Sequence, residues 1–269
     1  MKSYRRGAKL AAVIVFTVAM GLAVSTTMTA LAQGGVAAVG CQARQDAWAL
    51  NEQGLAHNNA HRYEEALEAF RQAIRMEPNC ADLHNNLGVA YISTGRHAEA
   101  FGSLERAIRL YPVFAEAHYN LGNNYYLFGQ YKKAVESYRR AIRLKPALHQ
   151  VHGDMGMALT KLGRHKEAVR SYKEAIRLRA DFAEAYNNLG IAQAELGQYE
   201  EAAESLRQAV HLKPDFAMAH FNLGTVYMDL KDKAAALQQY KVLNALTPEL
   251  ASQLYDHVYQ DKLVRAGER

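Results

Sequence analysis

From Ala47 onward the chain spells apolar and polar positions in a rhythm that returns every 34 residues, six times without insertion, until Leu250. Numbering each unit from 1 to 34, positions 4, 7 and 11 are apolar or bulky, as in His118, Leu121 and Tyr125 of the third unit. Positions 17, 20, 24 and 27 follow suit with Tyr131, Ala134, Tyr138 and Ala141. Steps of three and four residues place each set on one face of a helix, so the unit is predicted to be two antiparallel helices. Gly129 lies between the two sets and is expected to end the first helix in the left-handed conformation. Every proline (Pro78, Pro112, Pro146, Pro214 and Pro248) stands at position 32, where it stops the second helix; Ala180 is the departure. Position 8 is always glycine (Gly54, Gly88, Gly122, Gly156, Gly190, Gly224) and position 20 always alanine. Gly122 and Ala134 are therefore expected to let the two backbones approach closely.

A helix pair of this kind carries more apolar surface than it can bury alone, so the units must stack on one another into an all-α superhelix. The units run 47–80, 81–114, 115–148, 149–182, 183–216 and 217–250. After them, Leu254, Tyr255, Val258, Tyr259 and Leu263 form one apolar stripe, and 251–269 reads as a C-terminal capping helix and tail that covers the exposed end of the stack. The spacing matches the tetratricopeptide repeat, and the third unit, AEAHYNLGNNYYLFGQYKKAVESYRRAIRLKPAL, resembles a near-ideal copy. That resemblance implies a right-handed superhelical solenoid of six antiparallel helix pairs, with the first helix of each pair lining a concave wall.

Position 6 reads Glu52, Asn86, Asn120, Asp154, Asn188 and Asn222. An amide on a concave wall offers a donor and an acceptor that suit the main chain of an extended guest. The row is similar to the asparagine ladder of the O-linked N-acetylglucosamine transferases, whose repeat arm binds peptides. The competing account is that asparagine belongs to the generic repeat and bonds the adjoining unit, which would make it mainly a fold residue with binding as a second use. The expected peptide-binding set is Asn86, Asn120, Asn188, Asn222, Tyr119, Tyr126, Phe221 and Met157, beside acidic Asp82, Glu116, Glu184, Glu195 and Asp229, which favour basic or neutral guests. No lysine or arginine stands at position 5, so the carboxylate clamp of chaperone-binding relatives is absent.

Charge and cysteine content change the picture mainly at the N-terminus. Lys2, Arg5, Arg6 and Lys9 precede the apolar run Leu10 to Val24, and Ala30 and Ala32 stand before Gln33, the three parts of a secretory signal peptide at 1–32. A membrane anchor over the same residues and lipid attachment at Cys41 are the rival readings; residues 33–46 form a flexible segment. Removing 1–32 takes four of the 32 Lys and Arg and none of the 27 Asp and Glu, leaving 28 against 27, without the basic footprint of a nucleic-acid binder. Cys41 and Cys80 are the two cysteines, and antiparallel helices bring the end of one unit near its start. A disulfide stapling the N-terminal cap is expected, with two free thiols as the alternative.

Other columns look like chemistry and are better read as packing. His84, His118, His152 and His220 share position 4, a full unit apart, whereas zinc needs its nitrogens within about 2.1 Å of one ion. Packed aromatic substitutes fit better, and buried neutral rings would make stability fall below about pH 6.5. Arg75, Arg109, Arg143 and Arg177 at position 29 alternate with acids on an outer face, and Ser103, Ser137, Ser171 and Ser205 repeat at position 23. No phosphate loop or triad is found, so neither enzyme, cofactor nor metal is expected. The expectation is an exported, non-catalytic protein-interaction scaffold of a bacterial periplasm or cell envelope, touching membrane only through an uncleaved N-terminal segment. Its partner is a protein or peptide. A resemblance to six-repeat pilotins of type IV pilus assembly points to secretin or pilus biogenesis; a repeat partner presenting substrates to a separate glycosyltransferase is the alternative.

Overall fold

A computed structural model describes residues 45–267, which form thirteen α-helices and no strand. Residues 1–44, with the signal peptide and Cys41, lie outside the described residues. The helices are α1 (Gln45–Asn59), α2 (Tyr63–Met76), α3 (Ala81–Ser93), α4 (His97–Leu110), α5 (Ala115–Leu127), α6 (Tyr131–Leu144), α7 (His149–Lys161), α8 (His165–Leu178), α9 (Ala183–Glu195), α10 (Tyr199–Leu212), α11 (Ala217–Asp229), α12 (Lys233–Leu246) and α13 (Pro248–Gly267). Consecutive helices pair into six hairpins, one per 34-residue repeat. They fall into two compact units, divided between Lys145 and Pro146, each holding three hairpins. Within each unit, every second helix also packs on the first helix of the next hairpin. No described helix is long and apolar enough to cross a membrane.

A large side chain closes each hairpin against the glycine. A β-carbon built on Gly122 would lie 2.6 Å from the Tyr138 ring, so the glycine makes room for position 24. The same holds for Gly54 and Phe70, Gly88 and Leu104, Gly156 and Tyr172, and Gly190 and Leu206. At Gly190 the backbone carbonyl of Ala202 also lies 3.0 Å from the built β-carbon, the close approach expected of positions 8 and 20. These five position-24 side chains are fully buried, and each such burial stabilises by roughly 1.5–3 kcal/mol. Alanine at positions 20 and 27 is also fully buried wherever it occurs, which keeps the helices close enough for the knob to reach the glycine.

The turn inside each hairpin needs one residue in the left-handed region, at position 15. Gly95, Gly129, Gly163 and Gly197 fill it in the middle repeats with φ between 71° and 76°. The outer repeats place His61 (φ 58°) and Lys231 (φ 62°) there. A side chain in that region costs about 1 kcal/mol, so Lys231→Gly should raise the stability of the last hairpin by about 0.5–1 kcal/mol. Gly129→Lys should lower that of the third by a similar amount. Thermal unfolding followed by circular dichroism checks both signs; a lower midpoint for Lys231→Gly would refute the account.

Candidate peptide-binding face

The asparagines of the first helices form amide relays that cross from hairpin to hairpin. In the first unit, Asn120 Nδ2 donates to Asn85 Oδ1 at 2.9 Å, Asn85 Nδ2 donates to Asn86 Oδ1 at 3.3 Å, and Asn86 Nδ2 donates to Asn51 Oδ1 at 2.9 Å. The chain of bonds thus ties α5, α3 and α1. In the second unit, Asn222 Nδ2 donates to Asn187 Oδ1 at 2.9 Å and Asn187 Nδ2 to Asn188 Oδ1 at 3.0 Å, tying α11 to α9. The rule is simple: a position-6 amide reaches the position-5 amide of the preceding repeat, and position 5 turns to its own neighbour. A primary amide has two N–H groups and two lone pairs on oxygen. Asn86 spends one of each on the relay and keeps one of each.

The remaining predicted residues divide by exposure. Asn86, Asn188, Asn222, Met157 and Phe221 are half-buried, with part of each side chain at the surface. Asn120, Tyr119 and Tyr126 are buried. Tyr119 lies against Tyr138 at 6.0 Å between ring centroids, and Tyr126 meets Tyr131 edge-on at 5.3 Å. Phe221 packs against the apolar cluster of Ala236, Leu243, Ala251, Leu254 and Val258, to which α13 contributes three residues. The acids of position 2 are partly structural: Glu116 pairs with Lys145, and Glu184 with Lys213 at 3.6 Å. Burial pushes the Asp82 carboxyl up to about 6, and the nearby Glu116 charge adds to the effect.

The position-4 histidines have a function that spacing alone did not disclose. His84, His118, His152 and His220 each donate from Nε2 to the carbonyl oxygen of the proline six residues earlier, at 2.8, 3.0, 3.0 and 2.9 Å. The ring anchors the loop that the proline opens. Where the fourth repeat ends with Ala180 in place of proline, the fifth begins with Tyr186 in place of histidine, so the pairing was present in the sequence. Burial holds His84 and His118 below the ordinary imidazole range; the proline carbonyls oppose that shift, and Arg106 and Arg109, or Arg140 and Arg143, add to it.

Two further polar clamps were missed. Asn124, fully buried, lies with Oδ1 2.7 Å from His97 Nδ1 and donates from Nδ2 to the His97 carbonyl at 3.0 Å. Tyr138 donates its hydroxyl to Asn123 Oδ1 at 2.7 Å. The outer arginines are exposed and paired as expected, Arg75 with Glu68, Arg109 with Glu105 and Arg177 with Glu174; such pairs stabilise little. Ser205 donates to Gln193 at 2.6 Å. Cys80 is buried and disulfide-bonded. Among the described residues no three histidine, cysteine or acidic side chains are grouped to hold a metal ion.

Tetratricopeptide repeat models match residues 51–113, 115–148 and 217–247, and a TPR repeat model matches 156–197 and 194–231. Among curated proteins no match is found. Solved structures similar to this chain include YrrB, described as a TPR protein with an unusual peptide-binding site, at 25% identity and TM-score 0.61, covering 71% of this chain and 99% of that one. MamA from Desulfovibrio magneticus RS-1 is similar at 24% identity and TM-score 0.60, covering 63% and 96% of the respective chains. PilF of Pseudomonas aeruginosa gives TM-score 0.70 at 18% identity, covering 79% and 97%, a likeness of fold.

Asn85 holds two relay bonds, so Asn85→Ala should cost about 1–3 kcal/mol by stranding Asn120 and Asn86. Asn188→Ala, which removes one half-buried acceptor, should cost less than about 1 kcal/mol; chemical denaturation ranks the two, and equal costs would refute the relay. The titrating groups make opposite contributions. Lowered folded pKa values mean that the unfolded chain binds more protons to His84 and His118, so stability falls as pH drops below about 6.5. The raised Asp82 takes up a proton on folding, so its contribution rises as pH falls through about 6. Asp82→Asn should therefore unfold at a higher midpoint than wild type at pH 7.5, and its midpoint should fall more steeply towards pH 5. Parallel profiles would contradict this.

Proposed function

The chain belongs to the tetratricopeptide repeat family, and on that premise we propose that it is an exported, non-catalytic scaffold of the cell envelope that grips an extended peptide or partner protein. The observation that carries this is the relay. It fixes the orientation of Asn86, Asn188 and Asn222 while leaving each of these half-buried amides with hydrogen-bonding capacity outside the ladder. An amide already held by its neighbours loses little rotamer freedom on binding, which is the main cost of fixing a polar side chain at an interface. Adjacent repeats stand about 10 Å apart, one helix diameter, and an extended guest rises about 3.3 Å per residue. Asn188 and Asn222, on adjacent repeats, are therefore spaced to address guest residues about three apart.

Three observations support parts of this reading. YrrB, described as having a peptide-binding site, shares 25% identity across 99% of its length. The disulfide at Cys80 suits an oxidising compartment, and Cys41, the other cysteine, is its proposed partner. The histidine and serine columns are engaged in loop anchoring and packing, which suits a protein without a reactive centre.

The test is capture of guests from bacterial envelope extract by the full exported chain. Changing Asn86, Asn188 and Asn222 together to alanine should reduce recovery at least about tenfold, the equivalent of about 1.4 kcal/mol, with the helical circular dichroism unchanged. Glu105→Ala, on the exposed outer face and outside the relay, should keep recovery near wild type. Equal recovery by the triple variant would overturn the asparagine grip.

A further inference from the structure

The sixth hairpin is closed by a different side chain from the other five. The glycine at position 8, which elsewhere meets the knob at position 24 of its own repeat, here meets Leu254 of α13. A β-carbon on Gly224 would lie 2.5 Å from Leu254 Cδ2. Tyr240, the position-24 residue, is turned to other use: it is half-buried, its ring 5.5 Å from that of Tyr255. Helix α13 thus does more than cover an end. It inserts Leu254 into a slot on α11.

Among the described side chains of α13 three are buried, Ala251, Leu254 and Val258, spaced three and four residues apart on one helix face. Phe221 and Met228 of α11 pack against the cluster these three form with Ala236 and Leu243, and Phe221 belongs to the expected guest-binding set. Burial holds the Asp229 carboxyl above the usual carboxylate range, and nearby His257 opposes that shift. Lys233 of α12 completes the hold, its Nζ 3.9 Å from the Tyr259 ring centroid and donating to the Val258 carbonyl at 3.3 Å. Ser252, Gln253, Tyr255 and Asp256 are exposed. The arrangement is that of an amphipathic helix seated in a groove: apolar anchors against apolar lining, a basic group beside an acid, polar residues outward.

We propose that the sixth repeat is a binding site for an amphipathic helix of a partner protein, and that α13 is its resting occupant. This rests on the reading that the first helices of the repeats face the guest. The partner helix carries a small residue, a leucine three positions later and a β-branched residue four beyond that, with a basic side chain just before the last anchor. Thr247 alone separates α12 from α13, so α13 competes at a high effective concentration, about millimolar for a short tether. Access to the groove is therefore controlled by release of this helix.

The experiment uses the full chain and, as probe, a fluorescein-labelled peptide of residues 248–267, PELASQLYDHVYQDKLVRAG. Leu254→Asp in the chain should free the groove and bind the probe at least tenfold tighter than wild type by fluorescence anisotropy. The same probe carrying Leu254→Asp should bind neither protein. Gly224→Val fills the slot from α11, so it should expose α13 to limited proteolysis yet bind no probe. Equal affinity of wild type and Leu254→Asp, or no binding by a Leu254→Asp chain that keeps its helical spectrum, overturns the proposal. So does a wild-type dimer that exchanges α13 between copies. Envelope guests captured equally by wild type and Leu254→Asp would sink the cover and leave the scaffold standing; probe binding by Leu254→Asp without any envelope guest would do the reverse.

Discussion

Everything in this protein depends on a large side chain pressed against bare backbone. Five times a phenylalanine, leucine or tyrosine at position 24 rests on the glycine at position 8 of the facing helix, and each time a β-carbon would need the same space. The contact draws two helices together, buries a large side chain completely and sets their register. Alanine at positions 20 and 27 serves it by keeping the neighbouring surface low. Without that closeness each hairpin would splay, and the faces that stack on the next hairpin would lose their shape.

Apolar packing brings hairpins together but does not specify how far one slides along another, since a leucine surface tolerates several registers. The polar contacts supply that. Amide relays link α1, α3 and α5, and separately α9 and α11, through buried or half-buried groups whose geometry admits one alignment. Histidines pin the loops by their proline carbonyls. A buried amide without its partner costs more than a made bond gains, so a slipped register is penalised at every relay. On the proposed function, fold and binding are joined in one set of residues: the amides that hold hairpins in register are also the ones offered to a guest.

The repeat length, the helix pairs and their boundaries were legible because helical periodicity and the punctuation by glycine and proline are local signals. What faced what across a hairpin was not. Periodicity shows that Gly122, Ala134 and Tyr138 lie on inward faces, but that the Tyr138 ring rests on Gly122 depends on the offset between helices. The relay could have been found at a spacing of 35 instead of 34: Asn51 with Asn86, Asn85 with Asn120, and Asn187 with Asn222 are the pairs it uses. The histidine to proline bond was likewise visible in the joint departure of Tyr186 and Ala180. The stripe on α13 was read with Tyr255 in it; the helix instead turns Ala251, Leu254 and Val258 inward and leaves Tyr255 exposed, because Leu254 is set by the Gly224 slot.

Departures from the repeat carry more information about this particular chain than the repeat does. Position 17 is histidine in the second and fourth repeats. His97 meets Asn124 at position 10 of the following repeat, whereas the equivalent residue facing His165 is Ala192, and His165 Nδ1 is buried without a protein partner. The third repeat therefore holds a polar set of its own, Asn123 and Asn124 with their tyrosine and histidine partners, where its neighbours have aliphatic or small side chains. Buried polar groups of this kind favour one arrangement over its near alternatives more than they add stability. In a molecule of six nearly interchangeable hairpins, such local exceptions are what allow each hairpin to be told from the next.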